Sequence, residues 1–76
     1  MKTLNIKLTS IQDVRDFVDA VTTYGGDVDL SSGRYTVDAK SIMGIFSLDL
    51  LKPIKMTVHG DDCGELLAKL EKFTVE

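Results

Sequence analysis

The chain lacks tryptophan and has one cysteine, one proline and one histidine among 76 residues. Each scarcity excludes something. A lone Cys63 can build neither an internal disulfide framework nor a cysteine-based zinc site, so the fold must rest on an apolar core. A lone His59 rules out two-histidine catalysis and histidine-rich metal ligation. Basic residues are also few and scattered. With 9 Lys+Arg against 12 Asp+Glu, the net charge is −3, and there is no basic run of the kind nucleic-acid binding leaves. Long apolar runs are missing too. The longest, Ser41 to Leu51, is too short for a bilayer and carries Asp49. The opening Met1 to Lys7 has no long apolar segment of the signal-peptide type. The expectation is a cytoplasmic protein with no membrane or nucleic-acid partner, no metal and no cofactor.

What is present suits one small domain spanning residues 1–76. Hydrophobic residues make up 43%, enough for a core. A chain this short buries only about 60% of its unfolded surface, which favours a surface interaction site over a deep catalytic cavity. Leu4, Ile6 and Leu8 alternate with polar residues and predict a half-buried strand. After Ser10, the residues Ile11, Val14, Phe17, Val18 and Val21 recur at spacings of three and four, an amphipathic helix with Ser10 as its cap. Gly25-Gly26 marks its end through the left-handed conformation. Asp27 to Leu30 and Arg34 to Ala39 alternate around a Ser31-Ser32-Gly33 turn and predict a hairpin. Ser41 caps a short helix toward Leu51, weakened by Gly44. Ile54, Met56 and Val58 define the last strand, from Ile54 to His59. Asp62 and Glu65 have capping-box spacing before a final helix that buries Leu66, Leu67, Leu70 and Phe73. The order βαββαβα predicts an α+β fold. It is a two-layer open-faced sandwich with a four-stranded antiparallel sheet covered on one face by three helices.

The run Asp38-Ala39-Lys40-Ser41-Ile42-Met43-Gly44-Ile45-Phe46-Ser47-Leu48 closely resembles the regulatory-serine segment of HPr, the phosphocarrier family of the bacterial sugar phosphotransferase system. Lys40-Ser41-Ile42-Met43-Gly44 is its most specific part. Tyr24 to Leu30 is similar to the family's second strand and the turn before it, and the element order is similar throughout. The resemblance implies a protein that is not an enzyme. It also implies phosphorylation of Ser41 and an exposed partner-binding patch at Ile42, Met43 and Phe46. Core packing stays open for Phe46, and a helix-cap role suits Ser41 in either case.

One segment departs from the family. HPr carries a Gly-Leu/Ile-His-Ala-Arg-Pro type motif at the start of its first helix, and that histidine relays a phosphoryl group. Counted back from Tyr24 without gaps, Ser10 stands at the histidine position, Gln12 at the arginine and Asp13 at the proline. A serine hydroxyl is a poor nucleophile without a base, and its phosphate ester does not transfer readily, whereas imidazole is nucleophilic near neutral pH. Ser10 therefore reads as a cap and not as a catalytic residue. Losing the histidine while keeping the serine is a pattern similar to that of the Crh branch. The expectation is a non-catalytic HPr-like regulatory or binding protein acting through the Ser41 helix. Its partners would be proteins, such as HPr kinase/phosphorylase or a transcriptional regulator. Two alternatives are a divergent phosphocarrier using another residue and a degenerate HPr-fold interaction domain. His59 reads as a solvent-facing strand-end residue and Cys63 as a small semi-buried side chain. Asp27, Asp29, Asp61 and Asp62 read as solvated carboxylates, too few to converge on a divalent ion.

Overall fold

The structure, a computed structural model, describes residues 1–60 and 63–75. The Asp62 capping box and the Asp61-Asp62 turn lie outside the described residues. Lys2–Ile6 forms β1, Ile11–Thr22 α1, Val28–Ser32 β2 and Tyr35–Asp38 β3. Ile42–Phe46 forms α2, Ile54–Val58 β4 and Gly64–Lys69 α3. A 3₁₀ turn at Glu71–Phe73 leads into β5, Thr74–Val75. The sheet is antiparallel at every pairing, in the order β3-β2-β4-β1-β5.

The α+β open-sheet architecture stands, and among the described residues there are three α-helices and a sheet of five strands, not four. Beyond the 3₁₀ turn the chain meets the outer edge of β1, where Asn5 pairs with Val75 and Ile6 with Thr74. Lys7 N–H donates to Phe73 O at 2.9 Å and ties that edge. Two residues show no alternation, so no periodic signal marked this strand.

Alternation decides which sheet face is dry. Ile6, Val28, Leu30, Ile54, Met56 and Val58 are buried and pack with Val14, Phe17 and Val21 of α1 and Leu66 of α3. Their neighbours Asn5, Lys55 and Thr36 are exposed, while Asp29, Ser31 and Thr57 are half-buried. Phe17 meets Phe73 edge to face with ring centroids 6.0 Å apart, a geometry that aligns ring edge with ring face. Ile11 stands outside the α1 stripe at 66% exposed, because it is the first residue of the helix and overhangs the core.

Three local expectations are corrected. The turn of the hairpin is Gly33-Arg34, with Ser32 paired to Tyr35. Gly33 has φ +61° while Arg34 stays negative, the sequence of signs in a type II′ turn. The helix after Ser41 stops at Phe46, well short of Leu51, and Leu51 is 85% exposed. Gly25 and Gly26 do not adopt positive φ. Instead α1 ends at Thr22 with Thr23 still right-handed. Gly26 is needed for close approach: a Cβ there would lie 2.8 Å from His59 O and 2.8 Å from Tyr24 Cε2.

Candidate functional site

The Ser41 segment is set by the end of β3. Asp38 turns the chain, accepting Lys40 N–H on its carboxylate at 2.9 Å and Ser41 N–H on its carbonyl at 3.0 Å. Buried Ala39 donates its N–H to Val28 O and pins the turn to β2. Ser41 enters α2 with extended backbone, φ −99° and ψ 101°. Its Oγ accepts Gly44 N–H at 3.3 Å, a helix cap, while the residue itself stays exposed. Lys40 does not reach solvent freely, because its Nζ donates to Tyr24 O at 2.9 Å.

Five residues of helix cannot bury an all-round apolar sequence. Ile45 points into the core and is fully buried. Ile42 is half-buried and packs on the core's flank. Met43 is 78% exposed and Phe46 42% exposed. The three residues expected to form a partner patch thus share one short helix, with Met43 the outermost. Leu51 and Ile11 are further exposed apolar residues, and the periodicity assigns Ile11 to the inward stripe of α1.

The start of α1 is differently furnished. Ser10 Oγ accepts Asp13 N–H at 3.0 Å. The Asp13 carboxylate reaches back and accepts both Thr9 N–H, at 3.0 Å, and Thr9 Oγ1–H, at 2.8 Å. These donors favour the charged form and hold the Asp13 carboxyl below its ordinary range, the Thr9 backbone N–H acting most strongly. Gln12 Nε2 donates to Asp16. The helix start therefore holds a hydroxyl engaged as a cap and a carboxylate fixed beside it.

His59 is elsewhere. It follows Val58, which pairs with Lys2 and Val28, whereas Ser10 follows the end of β1, where Ile6 pairs with Ile54. The two lie at opposite ends of the sheet, so they do not form one site. His59 Nε2 lies 2.9 Å from Asp29 Oδ2, and both side chains are less than half exposed. Tyr24 OH donates to His59 O at 2.7 Å. Cys63 sits half-buried at the start of α3 without capping it. Among the described residues, no group of three or more His, Cys, Asp or Glu side chains could hold a metal ion. None of their helices is long and apolar enough to cross a membrane.

An open antiparallel sheet in the order 3-2-4-1-5, helices on one face and a capped serine after β3, defines an HPr-like α+β domain. The chain belongs to the HPr family of the phosphotransferase system: the family model described as the PTS HPr component phosphorylation site matches residues 13–75. HPr-C-His from Thermoanaerobacter tengcongensis is 26% identical with a TM-score of 0.80, over 95% of this chain and 89% of that one. The phosphocarrier protein HPr of Bacillus anthracis is 28% identical with a TM-score of 0.72, over 97% and 94%. Crh, the catabolite repression protein of Bacillus subtilis, is 26% identical with a TM-score of 0.65, over 96% and 90%.

Proposed function

We propose that this chain is a non-catalytic regulatory member of the HPr family. It docks protein partners through Ile42, Met43 and Phe46 and is switched by phosphorylation of Ser41. The observation that carries the reading is the start of α1. Ser10, at the position of the family's phosphoryl-accepting histidine, spends its oxygen on Asp13 N–H. Beside it stands a carboxylate clamped by Thr9, which repels an incoming phosphoryl donor. Ser41 is a cap of the same kind, accepting Gly44 N–H, but its exposed hydroxyl shares a helix with the exposed side chains of Met43 and Phe46. The partners in this reading are proteins, HPr kinase/phosphorylase or a transcriptional regulator, in the cytoplasm. Likeness to Crh at 26% identity supports it.

The test is intact mass after two incubations. With HPr kinase/phosphorylase and ATP, one phosphate is expected, mapped to Ser41. With phosphoenolpyruvate and Enzyme I, none is expected. An unmodified Ser41 in the first reaction defeats the switch.

A second reading is a divergent phosphocarrier, and one observation favours it. The His59 imidazole is oriented by the Asp29 carboxylate at 2.9 Å, an arrangement that fixes the ring. Acid-labile phosphate on His59 in the Enzyme I reaction would establish this reading in place of the first.

A further inference from the structure

Glycine is a poor helix former, yet Gly44 is the central residue of the five-residue α2. Its φ is not positive, so backbone freedom does not explain it. Space does. A Cβ on Gly44 would lie 3.2 Å from Val37 Cβ, 3.3 Å from Ser41 Oγ and 3.5 Å from Ser41 Cβ. Ordinary carbon contacts begin near 3.5 Å, so the first two are crowded. Gly44 also donates the N–H that Ser41 Oγ accepts. One residue therefore supplies the donor of the cap and leaves the flank of the hydroxyl bare.

We propose that Gly44 is the residue that makes Ser41 modifiable: its missing side chain is the room beside Oγ that a tetrahedral phosphoryl group needs. This rests on the Ser41 reading given above. Transfer from a nucleoside triphosphate forms the Oγ–P bond and breaks the bond from the γ-phosphorus to the bridging oxygen of the departing diphosphate. The hydroxyl proton passes to a base on the kinase. The new group brings three oxygens and close to two negative charges at neutral pH. Around Oγ, one side is taken by Ser41 Cβ and another by the Gly44 N–H. A methyl group on residue 44, 3.3 Å from Oγ, crowds a third and narrows the directions open to the phosphoryl group. The Val37 contact alone would make Gly44 only a packing residue against β3, and the experiment must separate the two.

Four full-length chains made by chemical ligation settle it. They carry serine or phosphoserine at position 41, each with Gly44 kept or with Gly44→Ala. The phosphate is expected to lower Tm by about 4 °C or more in the G44A background beyond its effect with Gly44 kept, a shift well resolved for a domain of this size. The same four are made with Val37→Gly, which removes the crowding Cβ on β3. The extra loss is expected to persist there. Equal Tm changes in both backgrounds, or an extra loss that vanishes with V37G, overturn the proposal. Because the phosphate is installed chemically, this outcome is independent of any kinase. A kinase that ignores Ser41 defeats the functional reading, whereas an absent coupling defeats this one.

Discussion

Two serine hydroxyls cap helices in this chain, Ser10 and Ser41, and Ser10 differs in what stands beside it. Its oxygen accepts Asp13 N–H, and the carboxylate beside it, which Thr9 and the Ser10 hydroxyl hold in the charged form, is a weak base. Replacing Ser10 by histidine alone restores the imidazole but leaves the Asp13 carboxylate in place. Phosphoenolpyruvate-dependent labelling by Enzyme I is expected to be slower for Ser10→His than for the double variant Ser10→His/Asp13→Asn. Equal labelling of the two would show that the carboxylate is no obstacle. Both serine caps were legible in the sequence, because capping is a contact across three residues. Tyr24 was not. Its ring crosses Gly26, and its hydroxyl reaches His59 O from 35 positions away. Only the tertiary fold brings these together, and no local pattern encodes it. The same closeness sets the next prediction. Gly26→Ala places a Cβ 2.8 Å from a backbone oxygen, so the chain must shift, and overpacking of this kind costs about 1–3 kcal/mol. Urea denaturation should show a lower midpoint with unchanged slope.

The elements that the sequence revealed are those with a long enough period. The 12-residue α1 and the alternating β1, β2 and β4 repeat their pattern several times. α2 and β5 do not. Apolar residues on every side of Ser41 to Leu51 suggested a longer helix, but a helix can bury only one stripe here, and the chain leaves it at Phe46. β5 is defined by whom it pairs with and not by its own composition. The start of α1 carries a pH-dependent term. Thr9 holds the Asp13 carboxyl below its ordinary value, the backbone N–H contributing most. The unfolded chain therefore takes up the proton first as pH falls. The stabilisation is fully present above the unfolded pKa and is lost as pH drops through the lower folded pKa. Asp13→Asn should thus lower the urea midpoint at pH 7 and lose most of that difference at the acid end. A gap that stays constant between neutral and acid pH would show that the clamp does not titrate with stability.

At the scale of the whole molecule, the alternating strands place one dry face under the helices, and α2 carries both inside and outside on a single turn and a half. Ile45 is fully buried while Met43, two residues earlier, is 78% exposed. A helix rotates about 100° per residue, so two steps carry the side chain from solvent to core. Stability and recognition are thereby divided between neighbours. Ile45→Ala removes buried carbons from a small core and should cost about 2–5 kcal/mol, a large share of what a domain of this size holds. Met43→Ala removes an exposed, flexible thioether and should alter stability by no more than about 0.5 kcal/mol. If Ile42, Met43 and Phe46 form the partner patch, the two variants part in a second measurement. Met43→Ala should raise the KM of HPr kinase/phosphorylase for this chain while its Tm stays put. Ile45→Ala should lower Tm and leave KM close to that of the parent wherever the variant is still folded. A Met43→Ala protein that is phosphorylated with the parental KM removes Met43 from the patch, whatever its exposure.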